Sequence, residues 1–407
     1  MMDGGLKEFE PKRVLLWIES SRAYGRGCLL GIADYCRTHD PWRLVHVERD
    51  LEQTVPPFLA AMRFDGVISR SENREIAEAL ESLGVPIVDL RGAIQPTHGH
   101  MIDTDPSACA ELAFEHFWER GLSTMAFCGY EGVDWSDRRR DAFAAYSSER
   151  NIKISVFQSR AQPERHGTLW HEAQGEREDP GLSAWLRALP KPVAVFAAND
   201  VRGRQVLTAC SASGIAVPEQ VAVLGVDNDE VICELSHPQL SSIEPDTAAI
   251  GYAGAKTLDR LMAREKDDAK PTALRLVRPC GVLTRLSTDI AAIDDLAVGE
   301  AVSIIRERSG NISSVEELAA AVGVSRATLE RRFRDALGRS PRQEIDRVRL
   351  DRARTLVRRT TYPLHQIANM VGYSNSSRLL DAYRRHFGIT PGADRDSADQ
   401  PYADVES

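Results

Sequence analysis

Side chains that could hydrogen-bond to base edges or neutralise phosphates are concentrated near the end of the chain. Residues 298–395 hold 18 Arg, no Lys and 11 acidic residues, a net charge of +7, whereas residues 1–297 carry −12 and residues 396–407 carry −4. Arginine is the commonest specific reader of guanine and also neutralises phosphates. The charge distribution therefore predicts an acidic body joined to a basic, nucleic-acid-binding end. A solvated face that binds nothing is the simpler alternative for any run of charge.

The basic region contains the same unit twice, which indicates how these side chains are presented. Residues 318–325 read LAAAVGVS, and the pattern recurs at residues 367–374 as IANMVGYS. Each copy continues into a segment whose apolar residues recur at helical spacing, which predicts a helix-turn-helix. Ser325 and Ser374 are the predicted N-caps of the two second helices. Two such units can place recognition helices in successive major grooves.

Residues 298–395 resemble the DNA-binding domain of the AraC/XylS family of transcription activators. The resemblance rests on residues 372–374 (GYS), residues 383–384 (YR), residues 387–391 (FGITP) and Arg395. The sequence departs from the family at Leu379, which replaces one apolar residue by another, and at Asp394, where the family has an aromatic residue. The family joins its two units by one long helix, and residues 341–359 suit that role because Pro341 fits a helix start and an apolar stripe follows.

Nine residues of the second helices are expected to contact DNA, because they face outward in the repeat or align with the family's base-reading positions. They are Arg326, Ala327, Glu330, Arg331, Asn375, Ser376, Ser377, Leu380 and Asp381. Arg331 is the strongest single candidate, since one turn past the N-cap its guanidinium can reach a guanine bidentately.

Composition bounds the remainder of the molecule. The 407 residues are 43% hydrophobic, enough for two or three domains, and no apolar run reaches membrane-spanning length. Seven scattered Cys form no C-x-x-C pair, which favours reduced thiols in a cytoplasm and argues against a structural zinc. The N-terminus lacks the apolar core of a signal peptide. We expect a cytoplasmic protein with no cofactor and no metal.

Residues 12–287 alternate between short apolar strands and helices, in two successive series of a little over a hundred residues each. This pattern predicts parallel sheets in an α/β fold with two lobes and a ligand cleft beyond the carboxyl ends of the strands. The predicted strands are residues 14–18, 44–47, 66–68 and 85–88 in the first series, and 124–128, 154–157, 193–196 and 221–225 in the second.

The predicted strand ends carry polar side chains suited to a neutral polyol. Ser21 and Tyr24 supply hydroxyls and a ring after the first strand, Asp200 and Asp227 can accept from sugar hydroxyls, and Trp135 can stack on an apolar C–H face. A dinucleotide fingerprint at glycines 25, 27 and 31 is weak because a polar six-residue stretch separates it from the strand. The residues alone leave a second possibility for both aspartates, which is that they only cap the following helices.

Residues 13–287 resemble the periplasmic-binding-protein-like effector domain of LacI/GalR-type regulators. The resemblance rests on residues 85–88 (VPIV), 103–105 (DTD), 199–200 (ND), 217–227 (VPEQVAVLGVD) and 240–243 (LSSI). It implies that Arg139, Asp200 and Asp227 bind the effector. The usual N-terminal DNA-reading headpiece is missing, and the combination with an AraC-type end is similar to the xylose-operon activators.

The sequence therefore predicts a sugar-responsive DNA-binding regulator, expected to be an activator that responds to D-xylose or, alternatively, to another sugar or sugar-derived effector. Expected partners are promoter DNA, RNA polymerase and a second copy of the chain. The predicted domains are residues 12–287, a linker at 288–297, the DNA-binding domain at 298–395 and an acidic tail at 396–407. An enzyme with an appended DNA-binding module is a competing class, but no P-loop, nucleophile elbow or metal-ligand spacing is present. An architectural nucleic-acid protein would not need so large an acidic domain.

Overall fold

The computed structural model describes residues 10–39, 41–47, 56–71, 73–91, 100–160, 172, 180–263, 274–289, 295–308, 310, 312, 314–360 and 362–398. The chain divides into two compact units, Met1–Ile290 and Ala291–Ser407. The division falls within the predicted linker, of which residues 290–294 lie outside the described part. The predicted tail is described only as far as residue 398.

The first unit has two lobes, each built on a six-stranded sheet. The sheet of the first lobe has the strand order β11-β5-β4-β3-β1-β2, and all its neighbouring pairs are parallel. Its strands are β1 (Arg13–Trp17), β2 (Arg43–His46), β3 (Gly66–Ser69), β4 (Ile87–Asp89), β5 (His100–Thr104) and β11 (Leu274–Val277).

The sheet of the second lobe has the order β12-β10-β9-β8-β6-β7 and is parallel except for the edge strand β12. Strands β8 and β9 are buried at every position, as expected for strands covered by helices on both faces. The strands of this sheet are β6 (Met125–Glu131), β7 (Ser155–Arg160), β8 (Val193–Ala197), β9 (Val221–Val226), β10 (Ser241–Glu244) and β12 (Gly281–Leu283).

The described helices of the first unit pack on these sheets. They are α1 (Ala23–Thr38), α2 (Arg74–Glu81), α3 (Pro106–Trp118), α4 (Asp134–Ser148), α5 (Pro180–Ala188), α6 (Asp200–Ala212), α7 (Glu230–Leu235) and α8 (Thr247–Met262). The chain passes between the lobes three times, after β5, β10 and β11, because α3 packs in the second lobe and α8 returns to the first. The predicted α/β fold with parallel sheets is confirmed.

Two of the three glycines of the dinucleotide fingerprint serve helix packing. A Cβ at Gly27 would overlap the Thr247 side chain, and one at Gly31 would overlap the Ala248 carbonyl oxygen, both on α8. A Cβ at Gly251 of α8 would likewise overlap the carbonyl of Cys28 on α1. Glycines at these positions therefore let the backbones of α1 and α8 approach each other closely.

The second unit is helical in its described part and contains two helix-turn-helix units. Its helices are α9 (Leu296–Arg308), α10 (Val315–Ala321), α11 (Arg326–Leu337), α12 (Pro341–Arg359), α13 (Leu364–Val371), α14 (Ser376–Phe387) and α15 (Pro391–Ala398). The turns before α11 and α14 use Gly323 (φ 69°) and Gly372 (φ 87°), which adopt a left-handed conformation without a Cβ penalty.

The long helix α12 belongs to both hydrophobic cores of this unit. Ile345 and Val348 pack into the first core with Leu329 and Phe333 of α11. Further along α12, Leu350, Ala353 and Val357 pack into the second core with the side chains of α13 and α14. The predicted connecting helix is confirmed, and it begins with Pro341 after a Ser340–Gln343 capping box.

One of the two predicted N-caps is wrong. Ser325 caps α11 by accepting from the Thr328 N–H at 3.2 Å, as expected. In the second copy, however, the Asn375 side chain caps α14, accepting from the Arg378 N–H at 2.9 Å. Asn and Ser cap helices about equally well, so α14 begins one residue later than the repeat alone predicts.

No helix in the described ranges has the length and apolar character needed to span a membrane.

Candidate functional site

A polar cavity lies between the two lobes of the first unit, at the carboxyl ends of their strands. The loops after β1, β3, β4 and β5 line it from the first lobe, and those after β6, β8 and β9 line it from the second. Its empty space is about 640 Å³, including solvent at the mouth. The cleft therefore lies where ligands bind in sheets of this winding.

Five of the six residues predicted to contact the ligand line this cavity: Tyr24, Trp135, Arg139, Asp200 and Asp227. They come from four different strand-to-helix connections, so the fold brings together side chains that are far apart in sequence. Ser21 is the exception. It is exposed at the bend before α1 and does not belong to the lining, although Glu19 and Arg22 on either side of it do.

Asp200 is fully inside the second lobe and does not cap α6. The cap is Asn199, whose side chain accepts from the Arg202 N–H. The Asp200 carboxylate accepts instead from Ser242 Oγ at 2.5 Å and from the Asp229 N–H at 2.7 Å. Burial, and then the charge of Asp227, raise the pKa of Asp200 well above its ordinary value. These contacts fix the carboxylate at the wall of the cleft.

Asp227 has a backbone conformation that is unusual for a residue with a side chain. Its φ is 111°, in the region that favours glycine, and such outliers cluster at functional sites. Burial raises the pKa of Asp227 to about 6, and the positive charge of Arg139 opposes that rise. Asp227 does not cap α7 either, since that helix begins after Asp229. The capping alternative therefore fails for both aspartates.

Trp135 contributes both a ring and an unused donor to the cleft. The Arg139 guanidinium lies 5.3 Å and the Arg91 guanidinium 5.9 Å from the Trp135 ring centre. Within the described part of the chain, the buried Trp135 indole N–H has no hydrogen-bond partner. Buried donors are nearly always paired in native proteins, so this N–H is available to a ligand oxygen.

The remaining polar residues of the lining were not predicted from the sequence. They are Glu19, Arg22, Arg70, Arg91, Asp103, Glu172, Asn199 and Asp229. Most of them lie close to the carboxyl end of a strand, which is the one signal that could have identified them. Several pair with each other: Arg70 forms an ion pair with Glu19, and Asn199 donates to Glu172 at 2.8 Å.

Among the residues that the structure describes, three polar contacts join the two lobes across the cleft. Arg138 of α4 forms an ion pair with Asp103, near the end of β5, at 2.9 Å, and Arg22 forms one with Glu172 at 2.9 Å. The third contact is a hydrogen bond of 3.1 Å from the Ala23 N–H, at the start of α1, to the Asp229 carboxylate. The lobes are therefore held together in a closed arrangement by charge-assisted bonds.

In the first helix-turn-helix, α11 presents Arg326, Ala327, Glu330 and Arg331 near its N-terminus. Ala327 and Arg331 are exposed, whereas Arg326 forms ion pairs with Glu316 and with half-buried Glu330. Within the described residues, Arg331 is within ion-pair distance of no acidic side chain. Of the two arginines of α11 that are predicted to contact DNA, Arg331 is therefore the one that forms no ion pair among the described residues.

In the second copy, Ser377, Leu380 and Asp381 are exposed on α14, with Leu380 showing 37% of its surface. Their spacing places them on one face of the helix. Ser376 is half-buried, and the Asn375 oxygen is engaged in the cap described above. Because the cap uses the Asn375 oxygen, the amide N–H₂ is the group of this side chain that is left to contact DNA.

The departure from the family pattern at Asp394 is compensated within the second unit. Asp394 is buried, accepts from the Tyr383 hydroxyl at 2.6 Å and forms an ion pair with Arg354 at 2.8 Å. A polar triad thus replaces aromatic packing between α12, α14 and α15.

Comparison with known proteins agrees with this arrangement. Residues 114–288 match a model of the periplasmic binding protein-like domain, and residues 318–397 match a helix-turn-helix domain. The chain is 31% identical to the xylose operon regulatory protein of Escherichia coli (strain K12), covering 94% of this chain and 97% of that protein. It is 30% identical to the xylose operon regulatory protein of Haemophilus influenzae (strain ATCC 51907 / DSM 11121 / KW20 / Rd), covering 93% and 97%.

The likeness extends to three dimensions. A solved structure of a xylose-binding transcription activator superposes with a TM-score of 0.74 at 31% identity, covering 95% of this chain and 98% of that one. Both units are therefore included in the match. The chain belongs to the family of xylose operon regulatory proteins, and it is a helix-turn-helix transcription regulator.

Proposed function

We propose that this regulator activates a xylose-utilisation operon and that D-xylose is the effector bound in the cleft. The convergence of Asp200, Asp227, Arg139 and Trp135 on one cavity carries the proposal, together with the names of the relatives that align over nearly the whole chain. Another sugar or sugar-derived effector in the same cleft is the alternative.

The chemistry of the cleft suits a small polyol. The carboxylate of Asp227 can accept from neighbouring hydroxyls, and Arg139, anchored by a 2.5 Å bond to the Ala198 carbonyl, can donate to ring or hydroxyl oxygens. The indole of Trp135 offers an apolar face and the unpaired N–H. A ligand that satisfies this donor removes the desolvation cost of the unpaired N–H.

Ligand binding is proposed to act by shifting the population of the closed lobes. The contacts Arg138–Asp103, Arg22–Glu172 and Ala23–Asp229 exist only when the lobes are close, so a sugar bound between them favours the arrangement that makes these contacts. A ligand moves such an equilibrium only by its differential affinity for the two states. Closure would then reposition the DNA-binding modules.

A hydrogen-bonded path leads from the cleft toward the end of the first unit. Asp200 is bonded to Ser242, whose Oγ also accepts from the Asn228 N–H at 3.0 Å. Arg285 donates to the Asn228 side chain at 2.8 Å, and its own backbone N–H donates to Ser241 Oγ. The Thr288 hydroxyl donates to the same Ser241 oxygen at 2.7 Å. We propose that this path carries the state of the cleft to the segment that precedes the DNA-binding unit.

The partners follow from the two halves of the molecule. Promoter DNA with two half-sites suits two recognition helices, and we propose that the regulator acts as a homodimer that contacts RNA polymerase. Its DNA target implies a cytoplasmic location.

The test is calorimetric titration of the full chain with D-xylose, L-arabinose, D-ribose and D-glucose. We expect D-xylose to bind most tightly and Asp227→Asn to weaken it about 10- to 100-fold, the loss of a hydrogen bond to a charged group. Asn suits this test because it tolerates positive φ far better than Ala does. Asp141→Asn, which removes an exposed carboxylate from α4, is the matched control. Unchanged affinity in Asp227→Asn would rule out the assignment, and tighter binding of another sugar would favour the alternative effector.

A further inference from the structure

The second unit contains a groove whose lining includes only one of the predicted DNA contacts, Asp381. It lies between α12 on one side and the turn before α14, with α14 itself, on the other. Its empty space, open to solvent, is about 1110 Å³. Four arginines line it, and we call it the arginine groove: Arg342 and Arg349 from α12, and Arg378 and Arg385 from α14.

The groove is positively charged even after its acidic residues are counted. Asp346 and Asp381 are the acidic residues in its lining, which leaves a net charge of +2 with the four arginines. Arg342 and Asp346 form an ion pair at 3.5 Å, whereas Arg349 is buried and donates to the Ile312 carbonyl at 3.0 Å. The exposed guanidiniums of Arg378 and Arg385 stand seven residues apart on α14, on the same face.

A buried, unused donor lies in the same groove. Within the described part of the chain, the hydroxyl of Tyr373 is inaccessible to solvent and has no hydrogen-bond partner. Burial raises the pKa of Tyr373 to about 12, so the hydroxyl keeps its proton at neutral pH. A protonated hydroxyl beside guanidiniums is a donor for an anionic oxygen.

The turn that carries this donor is built to approach the groove closely. Gly372 has a φ of 87°, and a Cβ there would lie 2.7 Å from the Gly310 carbonyl oxygen and 3.0 Å from Arg349 Cζ. A side chain at residue 372 would push the turn away from α12. Glycine therefore sets the position of Tyr373 relative to Arg349.

We propose that the arginine groove binds the phosphodiester backbone of DNA, at phosphates flanking the site read by α14. This inference rests on the proposed DNA-binding function and adds to it a site that reads no bases. Guanidinium and hydroxyl donors are the common ligands of backbone phosphates. The groove continues directly into the exposed face of α14, since Asp381 belongs to both, so a strand contacted by α14 passes its mouth.

The test compares the salt dependence of DNA binding in the full chain and in Arg378→Gln, Arg385→Gln and Tyr373→Phe. The probes are a duplex selected by the wild-type protein from a random pool and an unrelated duplex of equal length. We expect each arginine variant to lower the slope of log K against log[salt] by about 1 and to weaken both duplexes alike. Tyr373→Phe should weaken both several-fold and leave the slope unchanged. Arg352→Gln, an exposed arginine of α12 outside the groove, should match the wild type.

The outcomes separate the groove from the wider function. Slopes equal to that of the wild type in both arginine variants would overturn the proposal, and so would a changed consensus sequence at an unchanged slope, because the groove would then read bases. Inorganic phosphate that perturbs Tyr373 fluorescence, without any effect of the variants on DNA binding, would indicate a small-anion site instead. A wild-type protein that selects no DNA would contradict the proposed function itself.

Discussion

Arg285 Nη2 donates a 2.8 Å hydrogen bond to the side chain of Asn228, although 57 residues separate the two. Asn228 directly follows Asp227 at the cleft, and Arg285 belongs to the last segment of the second lobe. The Arg285 guanidinium also donates to the Leu240 carbonyl at 3.0 Å. It therefore joins three segments of the lobe, which are the loop that contains Asn228, the residue before β10 and its own segment. The geometry links the ligand-binding loop to the part of the chain that leads out of the effector unit.

Replacing Arg285 should uncouple sugar binding from DNA binding. In Arg285→Gln we expect sugar affinity to stay within about 3-fold of the wild type, because Arg285 does not line the cavity. The sugar-induced change in DNA affinity should fall from the 5- to 150-fold that is typical of allosteric coupling to nearly none. DNA binding measured with and without saturating D-xylose checks this.

Arg278→Gln is the matched control for this prediction, since Arg278 is an exposed arginine nearby in the sequence whose ion pair with Glu111 does not touch the path. A thermal melt of both variants separates uncoupling from partial unfolding. Full sugar response in a folded Arg285→Gln protein would refute the role of the path.

The raised pKa of Asp227 predicts a pH dependence with a defined sign. Its folded pKa of about 6 lies above the unfolded value near 3.9, so between these values the folded protein binds more protons and its stability falls as pH rises. At pH 7 the ionised carboxylate costs on the order of 1–3 kcal/mol in the ligand-free protein. Asp227→Asn should therefore raise the Tm of the ligand-free protein by a few degrees at pH 7 and leave it nearly unchanged at pH 4.

Differential scanning fluorimetry of both proteins from pH 4 to 8 measures this difference, which includes the effect of the Asp227 charge on the pKa of Asp200. Sugar affinity of the wild type should also fall below pH 6, as protonation removes the acceptor. An equal difference in Tm at pH 4 and pH 7 would contradict the assigned titration.

The fold and the cleft were predictable where strand ends and repeats carry the signal. Asp200 and Asp227 follow buried strands, and the fold class alone then places them at one edge of the sheets. Edge strands such as β11, which is largely exposed, lack the apolar run by which the central strands were recognised. The ion pairs inside the cleft were not predictable either, because Arg70 and Glu19 are joined by register between strands, which one sequence does not reveal.

The cap of α14 shows a different limit of the sequence. The repeat aligned Ser374 with Ser325, but Asn375 stands next to Ser374, and both residue types cap helices well. Local propensity could not decide between these two neighbours.

The triad of Tyr383, Asp394 and Arg354 predicts a strong effect on the stability of the second unit. Asp394→Ala leaves a buried tyrosine hydroxyl and a partly buried guanidinium without their acceptor, which should cost about 2–4 kcal/mol. Tyr383→Phe should cost about 1 kcal/mol, and the double variant should cost less than the sum because the two share one bond. Urea unfolding followed by circular dichroism measures these values.

Asp335→Ala, an exposed residue of α11, is the control and should change stability by less than about 0.5 kcal/mol. Additive losses in the double variant would mean that the Tyr383–Asp394 bond contributes nothing beyond packing.

Arg331 should set one position of the DNA consensus. Its guanidinium is exposed on the second turn of α11, and residues near the start of a recognition helix contact base edges. Arg331→Ala should lose preference at one base pair, about 1–3 kcal/mol of discrimination, with the rest of the consensus intact. Arg334→Ala, three residues further and equally exposed, should weaken all sequences alike, as loss of a phosphate contact does. Binding-site selection from a random pool measures both, and an unchanged consensus in Arg331→Ala would mean that Arg331 is a solvated residue of the helix surface.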